Sequence, residues 1–330
     1  MSKKVLLAVV ILLTGSLFIT QPLFAAWTQA KGHSYNQLTY SHYVTDHKMS
    51  TVTKESTVER NTKYQASKFR SQAITYYGEY GITDKLTVFT AIPYKWTKSD
   101  DVQRYANRND SPHGIGDIDV GLRYNLFPSL AGFVVSVQGA VKIPKAYKFG
   151  DPMNYLSLGD GQYDYSGILM LGKGLGKGYA TLAIAYKYRD ENKEFAPAVY
   201  KPSDQVKVTF GGGYSITSWL GLRALVDYTH SVGNAEVSQA MIRHAWDSGS
   251  ATAIRRGPDD YEHAEDILIK DSLVLEPQTL NVSGSIVFSH KKMQFVLSYG
   301  ADIPGIEDWG IYSKNSGLGE AYSVALVYMY

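Results

Sequence analysis

Cysteine is absent from the 330 residues, so neither a disulfide framework nor a thiolate metal site can organise the fold. Long apolar runs are nearly absent too. Beyond the extreme N-terminus none approaches the ~20 residues of a membrane helix, and the mean hydropathy is -0.20; a helical membrane protein is excluded. Excess charge of either sign is missing, the formal balance being +2, which gives no basis for a nucleic-acid partner. The eight histidines are scattered without HExxH or other ligand spacing, so no metal is expected. No GxSxG elbow occurs. Gly172 to Gly178 (GKGLGKG) lacks the spacing of a phosphate loop or a dinucleotide fingerprint and reads as a turn, so no cofactor is expected. Asn281-Val282-Ser283 matches a glycosylation acceptor only formally, because it falls within a predicted membrane strand. What the chain does have is 26 tyrosines.

The first residues carry Lys3 and Lys4, an apolar stretch from Val5 to Leu13 and the small-residue site Leu23-Phe24-Ala25-Ala26. That is the layout of a Sec-type secretory signal peptide over residues 1–26, cleaved after Ala25 or Ala26. An uncleaved anchor is disfavoured because Thr14, Gly15 and Ser16 break the run and Gln21-Pro22 follow. Cleavage removes two lysines and no acid, which brings the 33 basic and 31 acidic groups to equality.

Residues 27–330 then alternate with period two again and again. The alternating segments are joined by two kinds of connection that take turns. Short ones are Gly81–Lys85, Phe127–Gly132, Lys173–Gly178, Thr217–Trp219 and Ser289–Lys292. Long polar ones are Lys48–Ala66, Ser99–His113, Ala146–Gly161, Asp190–Ser203, Ser231–Ser272 and Asp302–Gly319. About twelve antiparallel strands with short turns on one side and long loops on the other predict an all-β, up-and-down outer-membrane β-barrel in a single domain. The faces agree. Ile118, Val120, Leu122, Tyr124 and Leu126 oppose Asp117, Asp119, Gly121, Arg123 and Asn125. Leu182, Ile184, Tyr186 and Tyr188 oppose Thr181, Lys187 and Arg189, while Leu220, Leu222, Val226 and Tyr228 oppose Arg223, Asp227 and Thr229. A soluble sandwich also alternates, but these segments have the ~9–11 residues of a membrane strand and carry tyrosines near their ends, where an interfacial girdle would sit. The last ten residues, AYSVALVYMY, read as a closing strand that pairs with a first strand at Ser34–Val44.

The stretches AWTQAKGHSYNQLTYSHY, YYGEYGITDKLTVFTAIPY, HGIGDIDVGLRYNLF and LSLGDGQYDYSGILMLGKGL followed by YATLAIAYKYR resemble, in order and spacing, the outer-membrane protein family named for the MetA-pathway of phenol degradation. The resemblance runs through most of residues 27–330. It implies an outer-membrane transport protein, and it implies that the terminal aromatic, Tyr330, is part of the signal read by the barrel-assembly machinery. It supplies no ligand-binding motif and no solute.

The ionisable residues assigned to the interior are Asp117, Asp119, Arg123, Lys142, Lys187, Arg189, Arg223 and Asp227. They either set the selectivity of a narrow water-filled path or pair across the lumen and hold it shut. Within Ser231–Ser272, Val237, Met241 and Ala245 recur at helical spacing with Ile242 and Trp246 beside them. That predicts a short amphipathic helix folding over or into the mouth and constricting it, the alternative being a plain surface loop. Three functions follow: a channel or transporter for small, hydrophobic or aromatic solutes; an outer-membrane lipase- or protease-like enzyme; and a sealed structural or adhesive barrel. The enzyme reading rests on Asp227, His230 and Ser231, the one compact Asp/His/Ser cluster, whose adjacent residues point to opposite faces of a strand. The chain is therefore read as a non-enzyme whose partners are outer-membrane lipids and an unidentified solute.

Overall fold

Alternation sustained over ten or more residues gives each strand one apolar and one polar face. Such strands can bury both only by closing into a barrel with lipid outside. The computed structural model describes residues 26–52, 57–100, 111–153, 156–247 and 265–330; the signal-peptide assignment therefore lies outside the described residues except at Ala26. Twelve strands form the wall: β1 (Ser34–Val52), β2 (Thr57–Thr83), β3 (Leu86–Ser99), β4 (Ile118–Leu130), β5 (Phe133–Ile143), β6 (Asp164–Leu175), β7 (Gly178–Arg189), β8 (Asp204–Ser215), β9 (Leu220–Val232), β10 (Thr279–His290), β11 (Met293–Ile303) and β12 (Ser316–Met329). Every neighbouring pair is antiparallel, and β12 closes on β1 from Tyr35↔Met329 to Met49↔Ser316. Closure leaves no sheet edge for lipid to meet.

The lipid face is the predicted one. Leu122, Ile184, Phe210, Ile286, Val324 and Leu326 are exposed on the wall, with Tyr80, Tyr124, Tyr214 and Trp219 toward the short turns and Tyr94, Tyr165, Tyr186 and Tyr188 toward the long loops. These are the two aromatic belts of a membrane barrel. The inner face of β12 is small and buried at Ala321, Ala325 and Val327.

Three boundaries differ from the sequence reading. Over its described residues Lys48–Ala66 is strand rather than loop, because β1 runs on to Val52 and β2 begins at Thr57, still paired at Met49↔Lys63 and Val52↔Thr57 across a register shift between Ser50 and Val52. Polar composition there reflects height, since a hairpin standing above the bilayer keeps its backbone pairing without needing an apolar face. Between Asp302 and Gly319 lie a small hairpin, Gly305–Ile306 against Ile311–Tyr312, and the start of β12. The third difference is in β3. Its ladder with β4 stops at Ala91↔Asp119 and resumes at Tyr94↔Ile115 on the short strand His113–Ile115. Pro93 has no N–H to contribute, and its carbonyl instead accepts from the Gly116 amide at 2.9 Å.

The segment before β1 enters the barrel from the short-turn end. The buried Ala26 packs against the inward-facing Ile168, Met170 and Ala183. Its carbonyl accepts from the Ser136 hydroxyl, the Trp27 ring meets Tyr179 edge-on at 6.0 Å, and the Gln29 amide donates to Thr87 Oγ1 at 2.8 Å. Gly172 makes room for it, because a Cβ there would come within 2.9 Å of Ala26 and Trp27.

Candidate functional site, the barrel lumen

Strand alternation aims one set of each strand at lipid and the other inward, as Leu122 and Tyr124 against Arg123 and Asn125 in β4, or Tyr165 and Leu169 against Asp164 and Ile168 in β6, so the interior is a ring of side chains fixed by register. Two polar knots divide it. The lower one lies beside the inserted N-terminal segment. Arg123 Nη2 is 3.0 Å from Glu79 Oε1, with the two side chains only 2% and 3% exposed. Arg123 also donates to Gln138 Oε1 at 3.0 Å and to the Trp27 carbonyl at 3.1 Å, while Glu79 accepts from Tyr77 and from Gln29, each at 2.6 Å. A buried charge pair whose remaining hydrogen-bonding capacity is filled in this way is held in one geometry.

The upper knot lies under the long loops. Lys142 Nζ is 2.5 Å from Asp160, 2.8 Å from Asp164 and 3.4 Å from Asp117. Arg189 reaches Asp160 at 3.5 Å and Asp164 at 3.8 Å. Tyr147 donates to Asp117 at 2.6 Å and accepts from the Gly161 amide at 2.9 Å, which ties the loop after β5 to the knot. Lys142, with Arg189 behind it, holds the Asp160 carboxyl well below the usual carboxylate range, against the partial loss of its hydration.

Of the eight interior charges expected from sequence, the structure draws Asp117, Lys142 and Arg189 into the upper knot and Arg123 into the lower one. Asp227 is engaged by the Thr209 hydroxyl and by Lys207 at 3.2 Å, and Arg223 donates to Gln294 at 2.7 Å. Asp119 and Lys187 are different: among the described residues neither side chain has an ion pair within 4.0 Å. Both are partly exposed on the inner face: Asp119 stands directly opposite Lys142 in register, and Lys187 stands opposite Ser166, two residues along β7 from Arg189. Glu79, Asp160 and Asp164 escaped the sequence reading. Glu79 alternates with Tyr77 against Tyr76 and Tyr80, a pattern that could have revealed it; Asp164 opens β6, opposite Lys142 in register, and Asp160 lies in a loop whose path only the fold determines.

Above the upper knot sits a cap. Gln239–Asp247 forms helix α1, which buries Met241, Ile242 and Ala245. These pack with Phe149 and Met153 from the loop after β5, Ala198 and Tyr200 from the loop after β7, and Leu268, Ile269 and Leu275. Trp246 lies at the margin of the helix's buried face and is exposed. The cap is anchored on opposite walls. Asp271 takes Lys48 of β1 at 2.8 Å and Tyr64 of β2 at 2.7 Å, whereas Tyr200 is bonded at 2.9 Å by Asn192, just beyond β7, six strands round the ring from β1. His244 on α1 meets Asp151 at 2.8 Å and the Phe195 ring at 4.8 Å.

The Asp227, His230 and Ser231 cluster disperses. Asp227 points inward, His230 bonds Gln278 at 2.9 Å, and the Ser231 hydroxyl donates to the Pro277 carbonyl at 2.7 Å.

The family model described as "Putative MetA-pathway of phenol degradation" matches residues 39–256. An outer membrane channel from Pseudomonas putida F1 superposes with a TM-score of 0.65 at 16% identity, covering 96% of this chain and 100% of the other. The toluene transporter TodX of Pseudomonas putida gives 0.38 at 9% identity, covering 96% and 95%. A FadL homologue of Pseudomonas aeruginosa gives 0.40 at 8%, covering 89% and 90%. No curated protein matches the chain by sequence.

Proposed function

Since the chain belongs to the family described as "Putative MetA-pathway of phenol degradation", and is an outer-membrane β-barrel, we propose that it is a channel for small solutes, hydrophobic or aromatic ones among them. The observation that carries this reading is the pair Asp119 and Lys187. A sealed structural barrel gains nothing from lumenal charges that have no ion pair among the described residues, because each loses hydration without recovering it. Two charges of opposite sign on the inner face, Asp119 level with Lys142 and Lys187 two residues along β7 from Arg189, suit a path in which water or solute meets them. The superposition on an outer membrane channel adds support at the level of fold.

In this reading the two ends of the lumen act as gates. The cap must shift on the side of β7 or of β1 for a solute to enter, with Met241 and Ile242 at its packed centre and Trp246 at its edge. The inserted segment around Trp27 narrows the exit. The enzyme reading finds no support in the separated positions of Asp227, His230 and Ser231.

The test is the reversal potential of the purified barrel in a planar bilayer under a salt gradient. Lys187→Glu is expected to move it toward cation preference and Asp119→Asn toward anion preference. Unchanged selectivity in both variants would remove Asp119 and Lys187 from the conducting path.

A further inference from the structure

An extracellular loop that displays large apolar side chains to water is unfavourable at ~25 cal/mol per Å², so such a display calls for a non-aqueous neighbour. The hairpin of Gly305–Ile306 and Ile311–Tyr312 makes one. Trp309 at its apex is 73% exposed, and the cross-strand pair Ile306 and Ile311 is exposed beside it. The hairpin leans outward over the wall. Gly310 takes the positive φ of 68° that turns the apex, and its carbonyl accepts from the hydroxyl of Tyr228 at 3.0 Å, a residue on the lipid face of β9. Gln278 fixes the same contact by donating to Tyr228 at 2.7 Å and to the Tyr312 carbonyl at 2.9 Å. Under this cover Leu280, which register assigns to the lipid face of β10, is only 7% exposed.

We infer that this hairpin is an anchor in the outer leaflet, with Trp309 seated at the boundary between headgroups and acyl chains. The occupant is lipid because the hairpin continues an interface already established: Tyr228 belongs to the outer aromatic belt, at the depth where indole and phenol rings prefer to lie. Glu307 and Asp308 beside Trp309 are exposed carboxylates that stop the apex at that depth, since neither can enter hydrocarbon without large cost. Directly below, two residues along β10 from Leu280, begins an apolar groove of about 770 Å³ in the outer wall, edged by Tyr214, Val282, Ile286 and Tyr299. One acyl chain lying in it would meet the hairpin at its headgroup end.

The experiment uses the full barrel in vesicles. Trp309 emission is taken as the difference between wild type and Trp309→Phe, and quenching by brominated acyl chains is compared with quenching by aqueous iodide. The inference expects strong bromine quenching and loss of iodide access. Iodide quenching without bromine quenching would overturn it. The groove is read separately with spin-labelled lipids. Gly284→Leu, where a new Cβ meets nothing within 4 Å, should remove one motionally restricted lipid per barrel and leave Trp309 in place. An unchanged number would overturn the acyl-chain part. Neither readout depends on conduction, so the channel reading can fail while this one stands.

Discussion

Arg123 shows how much a single side chain can hold together. It joins β4, β5, Glu79 of β2 and the inserted N-terminal segment from a position almost without solvent. Arg123→Ala should cost about 3–5 kcal/mol, because it leaves the Glu79 carboxylate buried without its partner. The measure is denaturant unfolding of the barrel in lipid, and the double change Arg123→Met with Glu79→Leu should recover most of the loss. Asp160 yields a pH prediction. Its carboxyl is held below the ordinary range chiefly by Lys142, so the linked stability is fully present above an unfolded value near ~4 and is lost as pH falls through the folded one. Its side chain is 51% exposed, which keeps the effect modest through solvent screening. Amide exchange in residues 144–150 and 156–163, corrected for intrinsic rate, should be faster at pH 3 than at pH 7, and Asp160→Asn should abolish the difference. Of the residues in the knots, the basic members Arg123, Lys142 and Arg189 were legible from strand alternation, whereas Glu79 and Asp164, also on strands, were missed. Asp160 was not, because no periodicity governs where a loop residue returns.

At the scale of elements, the wall was readable and the ends were not. Ile184, Tyr186 and Tyr188 against Thr181, Lys187 and Arg189 prescribe a strand face by face. The tops of β1 and β2 carry no such contrast, since neither side meets lipid, and so their paired ends up to Val52 and from Thr57 read as part of a long polar loop. The helix was readable for the opposite reason: Met241 and Ala245 sit one turn apart and share a face, which the cap buries. Its anchorage was hidden, because Lys48 and Asp271 are far apart in sequence. Lys48→Ala should loosen the cap on the β1 side, seen as faster exchange across Leu268–Leu275 with the strands unchanged. Replacing Trp27 by Gly, which removes the ring lodged against Tyr179, should raise the rate at which liposomes carrying the barrel swell in small uncharged solutes. An unaltered rate would place the exit elsewhere.

For the molecule as a whole, closure is what turns twelve marginal strands into a stable body, and it depends on β12. The Tyr330 amide and carbonyl both pair with Ser34, and the ring, 63% exposed, lies under Lys292 at 4.7 Å. We propose that this exposed terminal ring is also the handle for the barrel-assembly machinery. Tyr330→Ala should then reduce the heat-modifiable, folded fraction in the outer membrane while the purified variant refolds normally in detergent.

On the proposed reading the lumen between the two knots is a path rather than a filled core. Single-channel recording of the folded protein in a planar bilayer, alongside the Lys48→Ala variant, tests it most directly. Discrete openings are expected in the wild type, and they should become longer or larger when the cap is loosened. Inserted, folded barrels that stay silent in both forms at every voltage would contradict it and favour a sealed structural barrel.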